Sequence, residues 1–172
     1  IGGNTGRFAL KTVSENAQVN VTVMDLPQQL AMLKDNIDGK PGADRIHTVA
    51  GDLLNPETVI PGGFDVVWMS QFLDCFSEQQ VVSILSRVAS GLKPGARVYI
   101  METLWDRQKF DTASFDLAQT SVYFTAMANG NSKMFYSNDL FKMIETAGLR
   151  VDEIVDNLGY SHSLIRCSLA NA

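Results

Sequence analysis

The chain has 172 residues, 45% of them hydrophobic and 19% charged, which is the size and balance of one globular domain, 1–172, with a buried core. Fourteen basic residues against nineteen acidic ones leave a net charge of -5, a field that argues against nucleic acid as a partner. No apolar run approaches the roughly 20 residues needed to span a bilayer, and no signal-peptide pattern opens the chain, so the expectation is a cytoplasmic protein with no membrane partner.

Ile1 leads directly into a glycine-rich loop, Gly2-Gly3-Asn4-Thr5-Gly6. Arg7 to about Asn16 then reads as a helix, and the β-branched run Val19 to Met24 as a strand ending at Asp25. Pro27 suits a first helical turn, and Leu26, Leu30, Leu33 and Ile37 recur at helical spacing until Gly39. Arg45 to Ala50 reads as a strand closing on Gly51-Asp52. Phe64 to Met69 reads as another, apolar enough to be buried on both faces. Ser77-Glu78-Gln79-Gln80 is a capping box that opens a helix through Ser90.

Leu92-Lys93-Pro94-Gly95 has turn composition, and Arg97 to Met101 is the next strand, ending at Glu102. Asp116 to Ala128 is expected to hold a helix. Ser137 is expected to cap a further one, whose Leu140, Met143, Ile144 and Ala147 share a face before Gly148. Leu149 to Val155 and His162 to Leu169 complete the chain as two strands joined by a tight Asn157-Leu158-Gly159 link, which forces them antiparallel. Cys75 and Cys167 lie far apart with no CxxC and no adjacent histidine, which points to reduced, packed thiols rather than a metal site or a disulfide. His47 and His162 stand alone on strands and receive no role.

Strands alternating with helices imply an α/β fold: a doubly wound, mostly parallel sheet with a C-terminal antiparallel hairpin. In such sheets ligands sit beyond the carboxyl ends of the strands. Gly2 to Gly6, Asp25, Asp52, Ser70 and Glu102 all fall at those ends. Gly2, Gly3 and Gly6 let the backbone turn and approach a ligand closely, and Asn4 tolerates positive φ. Asp25 follows the loop by about the 20 residues at which an acid meets ribose hydroxyls in nucleotide-binding folds, which suggests an adenosine-containing ligand rather than an ordinary strand-to-helix turn. The dinucleotide pattern GxGxxG is broken in both registers, by Ile1 in the one at 1, 3 and 6 and by Asn4 and Arg7 in the one at 2, 4 and 7, so S-adenosylmethionine is favoured over NAD. Asp52 could accept the exocyclic amine of an adenine, or could be a turn aspartate after Gly51.

The succession IGGNTG, VTVMDLP, GDLL, FDVVWMSQFL, GLKPGARVYIMET and YSNDLFKMIETAGL resembles the catalytic domain of class I S-adenosylmethionine-dependent methyltransferases. Within that class it looks like the small-molecule O-methyltransferase branch that includes plant caffeate, flavonoid and hydroxyindole enzymes and many bacterial ones. The resemblance covers nearly the whole chain. It implies that a first strand lies just before Ile1, so that the first strand is truncated here, and that an upstream helical domain makes the protein a homodimer. It also puts Gly2, Gly3, Asn4 and Gly6 against the methionine portion of the cofactor, Asp25 and Leu26 at the ribose, Asp52 and Leu53 at the adenine, and Ser70 nearby. No metal is implied.

Two departures from the family pattern stand out. The plant segment Leu-His-Asp-Trp-Ser-Asp, whose histidine is the base, corresponds here to Leu73-Asp74-Cys75-Phe76-Ser77-Glu78, so the base position is Asp74. Of the two glutamates that flank that histidine, one matches Glu102 and the other falls on Met134. An aspartate normally titrates near 3.9, poorly matched to a phenol near 10, so Asp74 needs an apolar setting to act. Phe72, Leu73, Cys75 and Phe76 could supply one, and the alternative is an exposed or N-capping aspartate beside Ser77. Glu102 is either the matching functional acid or a strand-end acid paired with Lys or Arg. Tyr123, Phe124, Met127 and Met134 are candidates for the small-molecule acceptor pocket, or else core and dimer contacts. The reading is an O-methyltransferase for a small hydroxylated, aromatic acceptor. Alternatives are N- or C-methylation, a cofactor-binding protein without transfer activity, and an NAD-dependent oxidoreductase.

Overall fold

The computed structural model describes residues 1–128 and 130–171. Two compact units form, Ile1–Val59 and Ile60–Ala172. Among the described residues no helix is long and apolar enough to cross a membrane.

The first unit follows the sequence pattern closely. The glycine loop feeds α1 (Arg7–Glu15), then β1 (Val21–Asp25), α2 (Pro27–Ile37), a 3-10 turn Ala43–Arg45 and β2 (Ile46–Ala50). β1 and β2 pair in parallel from Val21 opposite Ile46 to Asp25 opposite Ala50, so the segments after Asp25 and after Ala50 leave the same edge. α2 starts at Pro27, where the missing N–H would have no helical partner. Its stripe Leu30, Leu33 and Ile37 is buried with Ala9 and Val13 of α1, Val23 and Ile46. Leu26 does not join that stripe: it precedes the first helical turn in extended backbone and is exposed.

The second unit is a four-stranded sheet in the order β3-β4-β6-β5, with β3 (Val66–Ser70) parallel to β4 (Arg97–Thr103) and β6 (His162–Leu169) antiparallel to both β4 and β5 (Leu149–Leu158). α3 (Glu78–Ser90) links β3 to β4, and its Val81, Ile84, Leu85 and Val88 are buried. The expected capping box is formed. Ser77 Oγ accepts the Gln80 N–H at 3.4 Å, and Gln80 Oε1 accepts the Ser77 N–H at 2.9 Å. α5 (Ser137–Thr146) buries Leu140, Met143 and Ile144, and packs on α3 and β5.

Several expectations are corrected. β3 is not buried on both faces, because it is the edge strand of its sheet; Val66 is half exposed and Met69 alone in the strand is fully covered. α4 runs Asp111–Met127, starting five residues before the expected Asp116, with Asp111 in its first turn where the helix dipole favours a carboxylate. Ser137 does not cap α5. It is the first helical residue, and Asp106 performs the capping, accepting the Ser137 N–H at 2.8 Å and the Ser137 hydroxyl at 2.5 Å. The tight Asn157-Leu158-Gly159 link is also wrong. β5 continues to Leu158 by absorbing irregularities between Val151 and Glu153 and between Val155 and Leu158, with Asn157 at φ 59, and the chain reverses only after it. Cys167 is buried as expected, but Cys75 is exposed.

Arg45 closes the first unit in a way no local pattern announces. Its guanidinium donates to the carbonyls of Val13 at 2.6 Å, Asn16 at 2.9 Å and Val19 at 2.8 Å, satisfying backbone acceptors at and beyond the end of α1. Arg45→Met, which keeps the apolar stem, should lower stability by about 1–3 kcal/mol because charge-assisted bonds to carbonyls are lost. Urea unfolding of the protein checks this, and an unchanged midpoint and slope would show that these bonds contribute nothing.

Candidate active site

In the first unit, the glycine loop and the end of β1 are bonded to each other. The Gly2 N–H donates to Met24 C=O at 2.9 Å, and Asp25 takes the Asn4 N–H on Oδ2 and the Leu26 N–H on Oδ1, each at 2.8 Å. Asn4 sits at φ 43, the left-handed conformation its side chain type tolerates. Gly3 is required by closeness: a Cβ there would lie 2.4 Å from Val23 Cγ1. Asp25 is half-buried. A carboxylate has about four lone-pair positions, so two backbone donors leave acceptor capacity for the paired hydroxyls of a ribose.

At the end of β2, Asp52 is exposed and does form the turn that was its alternative reading: Oδ1 accepts the Leu54 N–H at 2.9 Å, and its carbonyl accepts the Thr58 hydroxyl at 2.7 Å. Leu53 beside it is buried, whereas Leu26 is exposed.

The second unit brings the other carboxyls together. After Ser70 at the end of β3, Gln71 adopts φ 48 and its N–H donates to Met101 C=O at 2.8 Å. This strained corner turns the chain into a 3-10 turn, Leu73–Cys75. Glu102, at 1% exposure, lies beneath that turn. Its Oε1 accepts the Phe72 N–H at 3.0 Å and the Leu73 N–H at 2.8 Å, while Oε2 is buried without a hydrogen-bond partner among the described residues. Burial pushes the Glu102 carboxyl up to about 8, and the neighbouring Asp74 carboxylate adds to the rise. The alternative pairing of Glu102 with Lys or Arg is not adopted.

Asp74 lies half-buried on the same turn, with its carboxyl also raised by burial. It does not cap α3, since Ser77 and Gln80 do that between themselves. Although Cys75 is exposed as a residue, its thiol lies 3.5 Å from Asp74 Oδ1 and is pushed up to about 12 by partial desolvation, then by the charge of Asp74, which disfavours the thiolate at neutral pH. Phe72 and Phe76 meet edge-on at 4.9 Å beside this turn.

A strap, residues 132–135, runs from α4 past the turn to the loop after β4. Thr125 Oγ1 donates to Ser132 C=O, the Lys133 N–H to Asp74 C=O at 2.9 Å, and the Met134 N–H to Ser121 Oγ at 2.9 Å. Met134 Sδ in turn accepts the Thr103 hydroxyl, one residue beyond Glu102. Met134 is therefore held between β4 and α4, by Thr103 and Ser121. Tyr123, Phe124 and Met127 are exposed on α4, not in the core, and share that helix with Ser121 and Thr125, which are bonded to the strap. Sequence reasoning passed over Lys133 and Ser121, whose roles here are a backbone donor and a hydroxyl that carry no motif.

The O-methyltransferase domain model matches residues 1–150, and the chain belongs to that family. A human protein described as a probable bifunctional dTTP/UTP pyrophosphatase/methyltransferase is 33% identical over 109 residues, 63% of this chain and 17% of its own length. The 3-amino-4-hydroxybenzoate 4-O-methyltransferase of Streptomyces cremeus is 25% identical over 154 residues, 90% of this chain and 40% of that protein. The solved structure of the mitomycin 7-O-methyltransferase MmcR superposes with a TM-score of 0.85 at 22% identity, covering 98% of this chain and 47% of that one, which establishes the Rossmann-like α/β fold. The chain spans less than half the length of these curated relatives.

The close packing of Gly3 on Val23 gives a test of the loop. Gly3→Ala should destabilise the protein by about 1–3 kcal/mol through overpacking, and Val23→Ala in the same chain should recover part of that loss by making room. Thermal unfolding of the two single variants and the double variant checks this; strictly additive losses would mean that the methyl never meets Val23.

Proposed function

We propose that this chain is the catalytic part of an S-adenosylmethionine-dependent O-methyltransferase acting on a small hydroxylated, aromatic acceptor. The observation that carries the reading is the Asp25 carboxylate, held at the end of β1 by the N–H of the glycine loop and retaining lone pairs for two hydroxyls. The naming of a hydroxybenzoate O-methyltransferase among the relatives supports the acceptor class.

The residues fit that cofactor. Gly2, Gly3, Asn4 and Gly6 would face its amino-acid portion, Asp25 and Leu26 its ribose, and Asp52 and Leu53 its adenine. When bound, S-adenosylmethionine supplies a methyl group on a sulfonium, whose sulfur keeps the electron pair as the acceptor oxygen takes the carbon. Asp74 takes the acceptor's hydroxyl proton on its carboxylate, and the apolar turn around it raises its basicity toward the task. Met134 and the α4 side chains Tyr123, Phe124 and Met127 would line the acceptor, fixing its hydroxyl in line for transfer. A homodimer remains a proposal for the whole protein.

A second reading, binding without methyl transfer, is favoured by two features: no imidazole stands at Asp74, and Met134 takes the place of the second glutamate of the family pattern. Asp74→Asn separates the two. Under the main reading it should retain cofactor affinity and lose about 100-fold in turnover of a phenolic acceptor supplied with labelled S-adenosylmethionine. No labelled methyl transferred by the parent protein to any member of a phenol and catechol panel would favour the second. Asp25→Ala should weaken S-adenosylhomocysteine binding at least about tenfold in calorimetry, since each charge-assisted bond contributes roughly 1.5–3 kcal/mol. Asp25→Asn, which keeps an acceptor for the Asn4 N–H, tells loss of the loop from loss of the ribose contact. Unchanged affinity in both would remove Asp25 from the site.

A further inference from the structure

Glu102 is a buried acid whose two oxygens live in different surroundings. Oε1 accepts two N–H groups of the turn, and Oε2 is enclosed without a hydrogen-bond partner among the described residues. The groups around it are unevenly charged. The turn brings Asp74 and Cys75; β6 places Ser163 opposite Glu102 and His162 opposite Thr103. The strap brings Lys133, whose ammonium is taken by Glu78 at 2.8 Å. No cation among the described residues is bonded to Glu102, so its buried carboxyl has no counter-charge, and the charge of the nearby Asp74 acts on it with the same sign. Ionising both is disfavoured, as for any two like charges out of water, and an enclosed oxygen with no donor facing it is the atom where a proton removes the penalty.

We propose that Glu102 is a positioning residue for Asp74: as a neutral acid it holds the Phe72–Leu73 backbone through Oε1 and keeps on Oε2 the one proton shared by the two carboxyls. Asp74 is then the ionised member. This deepens the reading above, because it rests on Asp74 as the group that receives the acceptor's proton and says why that aspartate is charged and ready inside an apolar turn. The direction found for Glu102, pushed up to about 8 by burial and by Asp74, agrees with the geometry.

The test needs neither acceptor nor methyl transfer. Infrared difference spectra of the protein titrated between pH 6 and pH 10 should show the C=O stretch of a protonated carboxylic acid at neutral pH, lost with a midpoint near 8. The band should be missing in Glu102→Gln, and its midpoint should fall by about one unit or more in Asp74→Asn, where the neighbouring negative charge is gone. A parent spectrum identical to that of Glu102→Gln, or a midpoint unmoved in Asp74→Asn, overturns the proposal.

Stability gives a second readout. The folded protein raises Glu102 above the ordinary 4.5 of a free glutamate, to about 8, so its contribution is fully present below 4.5 and is lost as pH rises through about 8. Glu102→Gln, which keeps the carbonyl acceptor and cannot ionise, should therefore gain in Tm over the parent between pH 5 and pH 9; a gap constant with pH contradicts the proposal. Because these readouts report Glu102 alone, a positive result beside unchanged turnover in Asp74→Asn would sink the base assignment and leave the shared proton standing.

Discussion

A carboxyl on the last residues of a strand, accepting backbone N–H groups from a neighbouring loop, recurs in the two units at Asp25 and at Glu102 and determines where the candidate groups lie. Asp25 ties the glycine loop to the end of β1, and Glu102 ties the turn after β3 to the end of β4. Both use the same physics. Loops that depart from strand ends expose N–H groups with no ladder partner, and a charged or strongly polar acceptor nearby both satisfies them and sets the loop's position. The difference lies in burial. Asp25 is half-buried and keeps capacity for a ligand, whereas Glu102 is enclosed, with Oε1 taken by the backbone and Oε2 unpartnered among the described residues.

That difference bears on the departure from the family pattern at Asp74. As the proposed base, the Asp74 carboxylate has to gain basicity from its surroundings. Leu73 is fully buried, Phe72 and Phe76 pack edge-on, and the Cys75 thiol is too weak an acid to contribute a charge. Burial raises Asp74, and the Cys75 thiol, the first opposing influence, is a weak donor that only partly offsets it. The strap through Lys133 and Met134 adds position without charge, since its contact with Asp74 is made by a backbone N–H to a backbone carbonyl.

Much of this was legible in the sequence, for reasons that differ by element. The capping box at Ser77, Pro27 at the start of α2, the stripe Leu140, Met143, Ile144 and Ala147, and the glycine loop with Asp25 are local signals, each decided within a few residues or by a regular period. What escaped reading depends on partners distant in the chain. Asp106 caps α5 from 31 positions away, Arg45 closes the end of α1 from 26 to 32 positions away, and Glu102 reaches a backbone 29 and 30 positions earlier. The β5–β6 link was misjudged because Asn157 and Gly159 both carry turn signals, and only the pairing partner decides that Asn157 is a bulge within the strand. Residue types at Asp74 and Glu102 were visible, but their surroundings were not.

The most direct test of the central claim is a crystal structure of the protein with S-adenosylhomocysteine bound. The account predicts the ribose hydroxyls on the Asp25 carboxylate, with the glycine loop against the amino-acid portion and the adenine by Asp52 and Leu53. A nucleoside bound elsewhere, with Asp25 still occupied only by the Asn4 and Leu26 N–H groups, would contradict it and leave the glycine loop as an ordinary strand-to-helix turn.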